Sequence, residues 1–268
     1  MKTYIVDSFT EKPFTGNPAG VCVVETSLSN SLMLKVAQEL GLSETAFIYP
    51  LSDSENFSIR YFSPKMEIPL CGHATLATAK VLFTDLNLKT VTFVTKNNLN
   101  IVAKNVDKQI VMEFPVYDTK PADVSTELLN SLQLSSVENA VHNEETNILL
   151  LEIADYRDLV NIAPDFTMLL ESRDDINGVL VTAPCGKDGY DFHSRYFWPW
   201  SGTNEDPVTG GTHTFLAPYW SERLGKSKMQ SFQSSERTGS MQVELVDGKL
   251  LITSQAVVIL RGEMDISE

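Results

Sequence analysis

The sequence predicts an α+β chain built as two similar barrel-like rolls, each of antiparallel and mixed strands around one buried central helix. Three observations carry that class. The stretch Cys71–Phe83 leaves a glycine turn as a helix whose single charge is Lys80. A helix that is apolar nearly all round has no face to give to water and must be enclosed. The stretch Thr209–Trp220 repeats the device, running from Gly210-Gly211 into a mostly apolar helix. Setting Cys71-Gly72-His73-Ala74 against Gly210-Gly211-Thr212-His213 makes a weak internal repeat, spaced for two domains. Many short strand-like runs flank both helices, without the strand–helix alternation that a doubly wound parallel sheet requires.

Composition bounds the partners. A chain of 268 residues with 43% hydrophobic and 21% charged residues can bury a substantial core. The net charge of −14, from 21 Lys and Arg against 35 Asp and Glu, and the lack of any basic run argue against nucleic acid as a partner. Acidity overall does not exclude a small anion, because helix ends and single cations set the field inside a cleft. Cys22, Cys71 and Cys185 are too scattered for a disulfide framework or a metal site. No apolar run reaches the roughly 20 residues of a membrane-spanning helix. Met1–Asp7 reads as a strand rather than a signal peptide, so no membrane partner and a cytoplasmic location are expected.

In chain order, Tyr4–Phe9 alternates and is expected as the first strand. Pro13–Gly20, punctuated by Gly16, Asn17-Pro18 and Gly20, reads as a loop before a short strand over Val21–Glu25. Ser29 or Asn30 caps a helix with Leu32, Val36 and Leu40 on its apolar stripe, and Gly41 ends it. Thr45–Tyr49 is a strand with Glu44 at its entrance, and Phe57–Phe62 a strand in which Arg60 points opposite to Ile59 and Tyr61. After the first central helix, over residues 73–83, come strands at Thr90–Thr95, Leu99–Lys104 and Gln109–Phe114, with Asn97-Asn98 and Asn105–Lys108 as turns. Pro115–Ala122 is weakly patterned and is the expected linker between a first roll at 1–115 and a second at 122–268. The second roll is expected to hold helices at Val124–Leu132, Asp155–Val160 and Asp165–Leu170, and strands at Asn147–Ile153, Gly178–Ala183 and Asp191–Phe197. Its central helix is expected over 208–224, with Leu76, Leu82, Phe215 and Leu216 buried between the two rolls' helices and their strands. Four short strands from Met229 to Leu260 close the chain, the last one free to cross back to the first roll.

Each central helix begins with unpaired backbone N–H groups and the positive end of its dipole, a ready site for an anionic group. Glu44, His73 and Asp206 are the polar side chains expected beside those ends. Each also has a plainer reading. Glu44 can cap a loop or point at water, His73 can be a satisfied helix-start histidine, and Asp206, just ahead of the second helix, can serve its dipole as a cap. Among the four histidines, His73, His142, His193 and His213, none pairs at helical metal spacing, so no metal site is expected. No phosphate loop or dinucleotide glycine pattern occurs, so no cofactor is expected either. Cys71 reads as a small apolar filler. Pro218 lies inside the second central helix, where proline removes a hydrogen bond and can cost ~3 kcal/mol.

An ordered set of segments spanning nearly the whole chain resembles the phenazine-biosynthesis-like (PhzF) family, within the diaminopimelate-epimerase-like fold. They are Phe14-Thr15-Gly16-Asn17-Pro18-Ala19-Gly20-Val21, Ser43-Glu44-Thr45-Ala46-Phe47, Ile59-Arg60-Tyr61-Phe62-Ser63-Pro64 and Cys71-Gly72-His73-Ala74-Thr75. In the second half they are Ser194-Arg195-Tyr196-Phe197, Glu205-Asp206-Pro207-Val208-Thr209-Gly210 and Gln233-Ser234-Ser235-Glu236-Arg237. The resemblance implies a cofactor-independent isomerase that moves a proton on a small carboxylate-bearing substrate between the two rolls. It makes Glu44 the acid/base and His73 and Asp206 its polar companions. Gly72, Ala74, Gly210, Gly211 and Thr212 become the substrate-binding positions. It also implies a homodimer. Related diaminopimelate epimerases use one cysteine in each glycine turn; Cys71 matches the first, but Thr209–Thr212 supplies no second, so a two-cysteine racemase is not expected. Gly211-Thr212 departs from the family's usual Ser-Ala there, which bears on the substrate. The rival readings are an epimerase or lyase using the same glutamate, and a noncatalytic member of the fold that binds a protein partner.

Overall fold

The computed structural model describes residues 1–51, 55–185 and 189–266; Ser267 and Glu268, the end of the expected second roll, lie outside them. The chain divides into two units, Met1–Glu113 with the segment from Leu251 onward, and Phe114–Leu250. Residues 115–122, expected as a linker, therefore belong to the second unit, and the tail belongs to the first.

In the first unit, β1 (Lys2–Ser8) pairs antiparallel with β2 (Asn17–Val23). The expected loop at 13–20 is thus shorter, because Asn17–Gly20 already runs as strand. Helix α1 (Asn30–Leu40) has Ser29 as its N-cap and Gly41 as a left-handed C-cap at φ 62°. Met33, Val36 and Ala37 form its buried stripe, one residue round from the expected Leu32–Val36–Leu40 line. β3 (Glu44–Pro50) runs parallel to β2 and antiparallel to β4 (Asn56–Phe62). β4 also takes β5 (Glu67–Ile68) antiparallel. Helix α2 (Gly72–Asp85) buries ten of its residues, Leu76 and Leu82 among them, and packs on β1, β2 and β3. Its two buried hydroxyls satisfy themselves on the helix: Thr75 donates to the Cys71 carbonyl and Thr78 to that of Ala74, both at 2.7 Å. β6 (Thr90–Thr95) runs parallel to β4, and β7 (Asn100–Val106) and β8 (Gln109–Pro115) follow as an antiparallel meander. The β7–β8 turn puts both Asp107 and Lys108 at positive φ, 52° and 69°, as a two-residue hairpin twisted with its strands requires.

In the second unit, β9 (Lys120–Pro121) pairs with β10 (Asn139–Asn143), a strand too polar to be legible in the sequence. Helix α3 (Thr126–Ser131) lies between them, capped by Ser125. β11 (Ile148–Glu152) follows, then α4 (Tyr156–Asn161) and α5 (Phe166–Ser172), each with an Asp side chain at its N-cap. β12 (Gly178–Pro184) runs parallel to β11 and antiparallel to β13 (Phe192–Trp198). β13 takes β14 (Thr203–Asp206) antiparallel. Helix α6 (His213–Leu224) follows, with Phe215 and Leu216 fully buried. It begins five residues later than expected, because Val208–Thr212 is a turn. β15 (Lys228–Gln233) then runs parallel to β13, and β16 (Gly239–Val246) pairs with it. β17 (Lys249–Ser254) leads back into the first unit, where β18 (Ala256–Glu263) pairs with β1.

The units repeat one plan. The order β2∥β3, β3–β4, β4–β5, helix, β4∥β6 in the first matches β11∥β12, β12–β13, β13–β14, helix, β13∥β15 in the second. The repeat reaches side chains. Arg60 on β4 pairs with Glu67 on β5 at 2.7 Å and stands over Phe62, 5.4 Å from the ring centre. Arg195 on β13 pairs with Glu205 on β14 at 2.8 Å and stands over Phe197, 4.9 Å from the ring centre. The two Arg-Tyr-Phe segments are therefore equivalent strand ends, each tying its neighbouring short strand by a charge pair.

Candidate active site

Glu44 is the first residue of β3 and lies opposite Ala19 of the parallel strand β2. Its neighbour Thr45 faces Gly20, where a Cβ would stand 2.7 Å from the Thr45 hydroxyl oxygen and 3.0 Å from Leu40 Cδ1. Gly20 therefore serves a close approach of its strand to the Thr45 and Leu40 side chains, not the loop expected of it, and that approach seats the start of β3. Glu44 is only 8% exposed, which removes the reading of a solvent-facing loop residue.

The N-terminus of α2 meets it. Cys71 is extended (φ −145°, ψ 111°) and no side chain caps the helix. The first intrahelical bond is Thr75 N–H to the Cys71 carbonyl at 3.0 Å, so the amides of Gly72, His73 and Ala74 precede the hydrogen-bonded ladder. Ser8 donates to the His73 carbonyl at 2.8 Å, and the Tyr61 and Thr75 hydroxyls bond at 2.6 Å. These contacts fix the turn from strand neighbours on both sides. His73 Nε2 then lies 3.3 Å from Glu44 Oε2. Burial pushes the His73 imidazole below its ordinary pKa, and the Glu44 charge opposes that only in part. Burial therefore favours the neutral form of the His73 imidazole in this contact, against the pull of a salt bridge.

Cys71 is buried, as a small filler is expected to be, and it also faces His73. Its sulfur lies 3.4 Å from His73 Nδ1 and 3.9 Å from Nε2. Glu44, Cys71 and His73 each offer a metal-ligating atom, all within 4.8 Å of one another. The expectation of no metal site rested on histidine spacing and on the scatter of the cysteines, neither of which registers a strand-entry carboxylate meeting a Cys-x-His helix start. Such an arrangement can accept a proton on the carboxylate, donate from the imidazole, and hold an anion on the helix end.

The second unit carries Asp206, Gly210, Gly211 and Thr212. Asp206 ends β14, seven residues before α6, so it does not cap that helix; its carboxylate accepts instead from the Thr209 hydroxyl. Gln233 of β15 clasps the turn, donating to the Asp206 carbonyl at 2.7 Å and accepting from the Thr209 amide at 2.9 Å. Its role is invisible in sequence because 24 residues separate it from Thr209. Thr212 donates to the Thr209 carbonyl at 3.0 Å, and a Cβ at Gly211 would meet nothing within 4 Å. His213, the first residue of α6, is fully buried between the Thr209 carbonyl and the Ser231 hydroxyl, at 3.1 and 2.8 Å.

Strand register shows why the second unit has no counterpart of Glu44. Thr45 faces Phe62 as Val179 faces Phe197, which makes Gly178 the equivalent of Glu44. A Cβ there would stand 2.6 Å from the Tyr196 ring, so the aromatic body occupies the space an acid would need. The repeat is asymmetric, with its carboxylate in the first unit.

Two units of one strand plan, each with an enclosed apolar helix, define the diaminopimelate-epimerase-like fold. That fold likeness extends to a hydroxyproline epimerase from Agrobacterium vitis, at a TM-score of 0.61 and 12% identity over 98% of this chain and 91% of that one. The chain belongs to the family of phenazine biosynthesis-like proteins (PhzC-PhzF), whose family model matches residues 6–262. A mouse protein named phenazine biosynthesis-like domain-containing protein 2 is 39% identical over 97% of this chain and 98% of its own. A Halalkalibacterium halodurans protein named as an uncharacterized isomerase is 38% identical over 97% of each. The crystal structure of a PhzF-family protein from Enterococcus faecalis superposes with a TM-score of 0.92, at 34% identity over 99% of both chains.

Proposed function

We propose that the protein is an isomerase that moves a proton on a small carboxylate-bearing substrate, with Glu44 as the acid/base and no cofactor. The observation that carries this is the buried pair of Glu44 Oε2 and His73 Nε2, 3.3 Å apart at an uncapped helix start. An isomerisation of this kind needs one group that takes a proton from carbon and returns it elsewhere, and a carboxylate shielded from water does that more readily than an exposed one. The imidazole of His73, beside the carboxylate, donates a hydrogen bond to a substrate oxygen. The amides of Gly72 and Ala74 receive the substrate's carboxylate in place of a side-chain cap. Asp206 as a polar companion, and Gly210, Gly211 and Thr212 as further substrate contacts, belong to the same proposal; the space beside Gly211 supports it. The family and the isomerase-named relative favour this class, and assembly as a homodimer goes with it, to be read by light scattering.

The test is Glu44→Gln, which keeps shape and hydrogen-bonding reach but cannot take a proton. With a carboxylate substrate that the wild type turns over, the variant is expected to bind normally and lose about 10²–10⁴ in kcat. Wild-type kcat in Glu44→Gln ends the proposal.

A further inference from the structure

We propose that Glu44, Cys71 and His73 form a three-ligand site for a thiophilic divalent cation, Zn²⁺ being the probe of choice, and that occupancy blocks the acid/base. The donor set is one sulfur, one imidazole nitrogen and one carboxylate oxygen, all within 4.8 Å. Tetrahedral zinc with bonds of about 2.0–2.3 Å to such atoms sets its ligands roughly 3.3–3.6 Å apart. The Glu44 Oε2 to His73 Nε2 separation is already 3.3 Å, and Cys71 Sγ to the same nitrogen is 3.9 Å. The sulfur, now nearer Nδ1 at 3.4 Å, has to swing toward Nε2 and the carboxylate, a movement that rotation of the Cys71 and Glu44 side chains can supply.

The site is also held in place. Cys71 and His73 sit two residues apart where an extended residue meets the first helical turn, and their carbonyls are fixed by Thr75 and Ser8 at 2.7 and 2.8 Å. Ligands preset by their supports are what a metal site needs. Each ligand residue keeps 7–8% of its surface exposed, so an ion has a way in. Three protein ligands leave a fourth position for water, the arrangement of an open site rather than a closed structural one. The sulfur and imidazole select zinc or cobalt over Mg²⁺ and Ca²⁺, which prefer oxygen alone. Once coordinated, the Glu44 carboxylate shares its charge with the cation, which lowers its affinity for a substrate proton. The blockade rests on Glu44 being the base; the ion site does not.

The experiment uses chelator-treated full-length protein and needs no substrate. Zn²⁺ is titrated by calorimetry and Co²⁺ by absorption, where a thiolate ligand gives a near-ultraviolet charge-transfer band. One ion per chain is expected, undisturbed by excess Mg²⁺. Cys71→Ala is expected to abolish the cobalt band, and Cys71→Ala and His73→Gln are each expected to weaken Zn²⁺ binding at least tenfold, with Cys185→Ala as the unchanged control. Circular dichroism checks folding, and Cys71→Ser replaces Cys71→Ala if that variant unfolds. No saturable Zn²⁺ binding by the wild type, or unchanged binding in either ligand variant, overturns the proposal. Tight Zn²⁺ binding together with full activity of Glu44→Gln would instead leave the ion site standing and remove the isomerase reading.

Discussion

The backbone N–H of Tyr117 donates to the carbonyl of Thr214 at 2.9 Å. Thr214 lies four residues before Pro218, so its carbonyl is the one that Pro218, lacking an N–H, leaves without its helical donor. The proline that counts against α6 in the sequence is thus accommodated by a donor from outside the helix. Tyr117→Pro deletes that donor beside a residue only 4% exposed, and is expected to destabilise by about 1–3 kcal/mol. In a Pro218→Ala background the helix supplies its own donor, and the same change is expected to cost less. Urea midpoints of the four proteins measure the difference; equal losses in both backgrounds would refute the link.

Gly20→Ala places a Cβ 2.7 Å from the Thr45 hydroxyl oxygen. The strands β2 and β3 must part or Thr45 must turn, for an expected loss of about 1–3 kcal/mol. Thr45→Ala in the same chain removes the obstruction and is expected to restore part of the loss. Thermal denaturation of the single and double variants checks this, and a Gly20→Ala protein as stable as the parent contradicts the close approach.

His213 ties stability to pH. Burial lowers its pKa from 6.5 to about 4, while its bonds to the Thr209 and Gly210 backbone pull weakly the other way. The unfolded chain then binds the proton more readily than the folded one. The contribution is fully present above pH 6.5, falls as pH drops toward 4, and levels below that. Its full size is roughly 3 kcal/mol. His213→Gln is expected to flatten the slope of the denaturation midpoint across this window. A slope identical to that of the wild type would show that His213 is not the group responsible.

Much of the architecture is a matter of local pattern. The lone Lys80 in an apolar stretch requires α2 to be enclosed, Ser29 and Gly41 bracket α1, and Asn98 sits at φ 59° in the turn where it was expected. Period and capping are written in neighbouring residues, and they act before any distant contact forms. Glu44 and His73 were likewise nameable from the sequence, through a resemblance carried by their flanking motifs. Other features depended on partners far along the chain. Asn17–Gly20 reads as loop by residue type, yet it is strand because β1 and β3 take up its backbone on either side. Asp206 reads as a helix cap until Thr209 and Gln233 hold it at the end of a strand. Cys71 reads as filler until an extended residue and a helix start turn its sulfur toward His73. The sequence alone determined which segments must be buried and where α1 begins and ends, because hydrophobic period and capping are local; α6, without a side-chain cap, starts five residues later than expected. Tertiary structure alone decided which polar atoms meet, because strand register sets those distances and no short stretch of residues contains it.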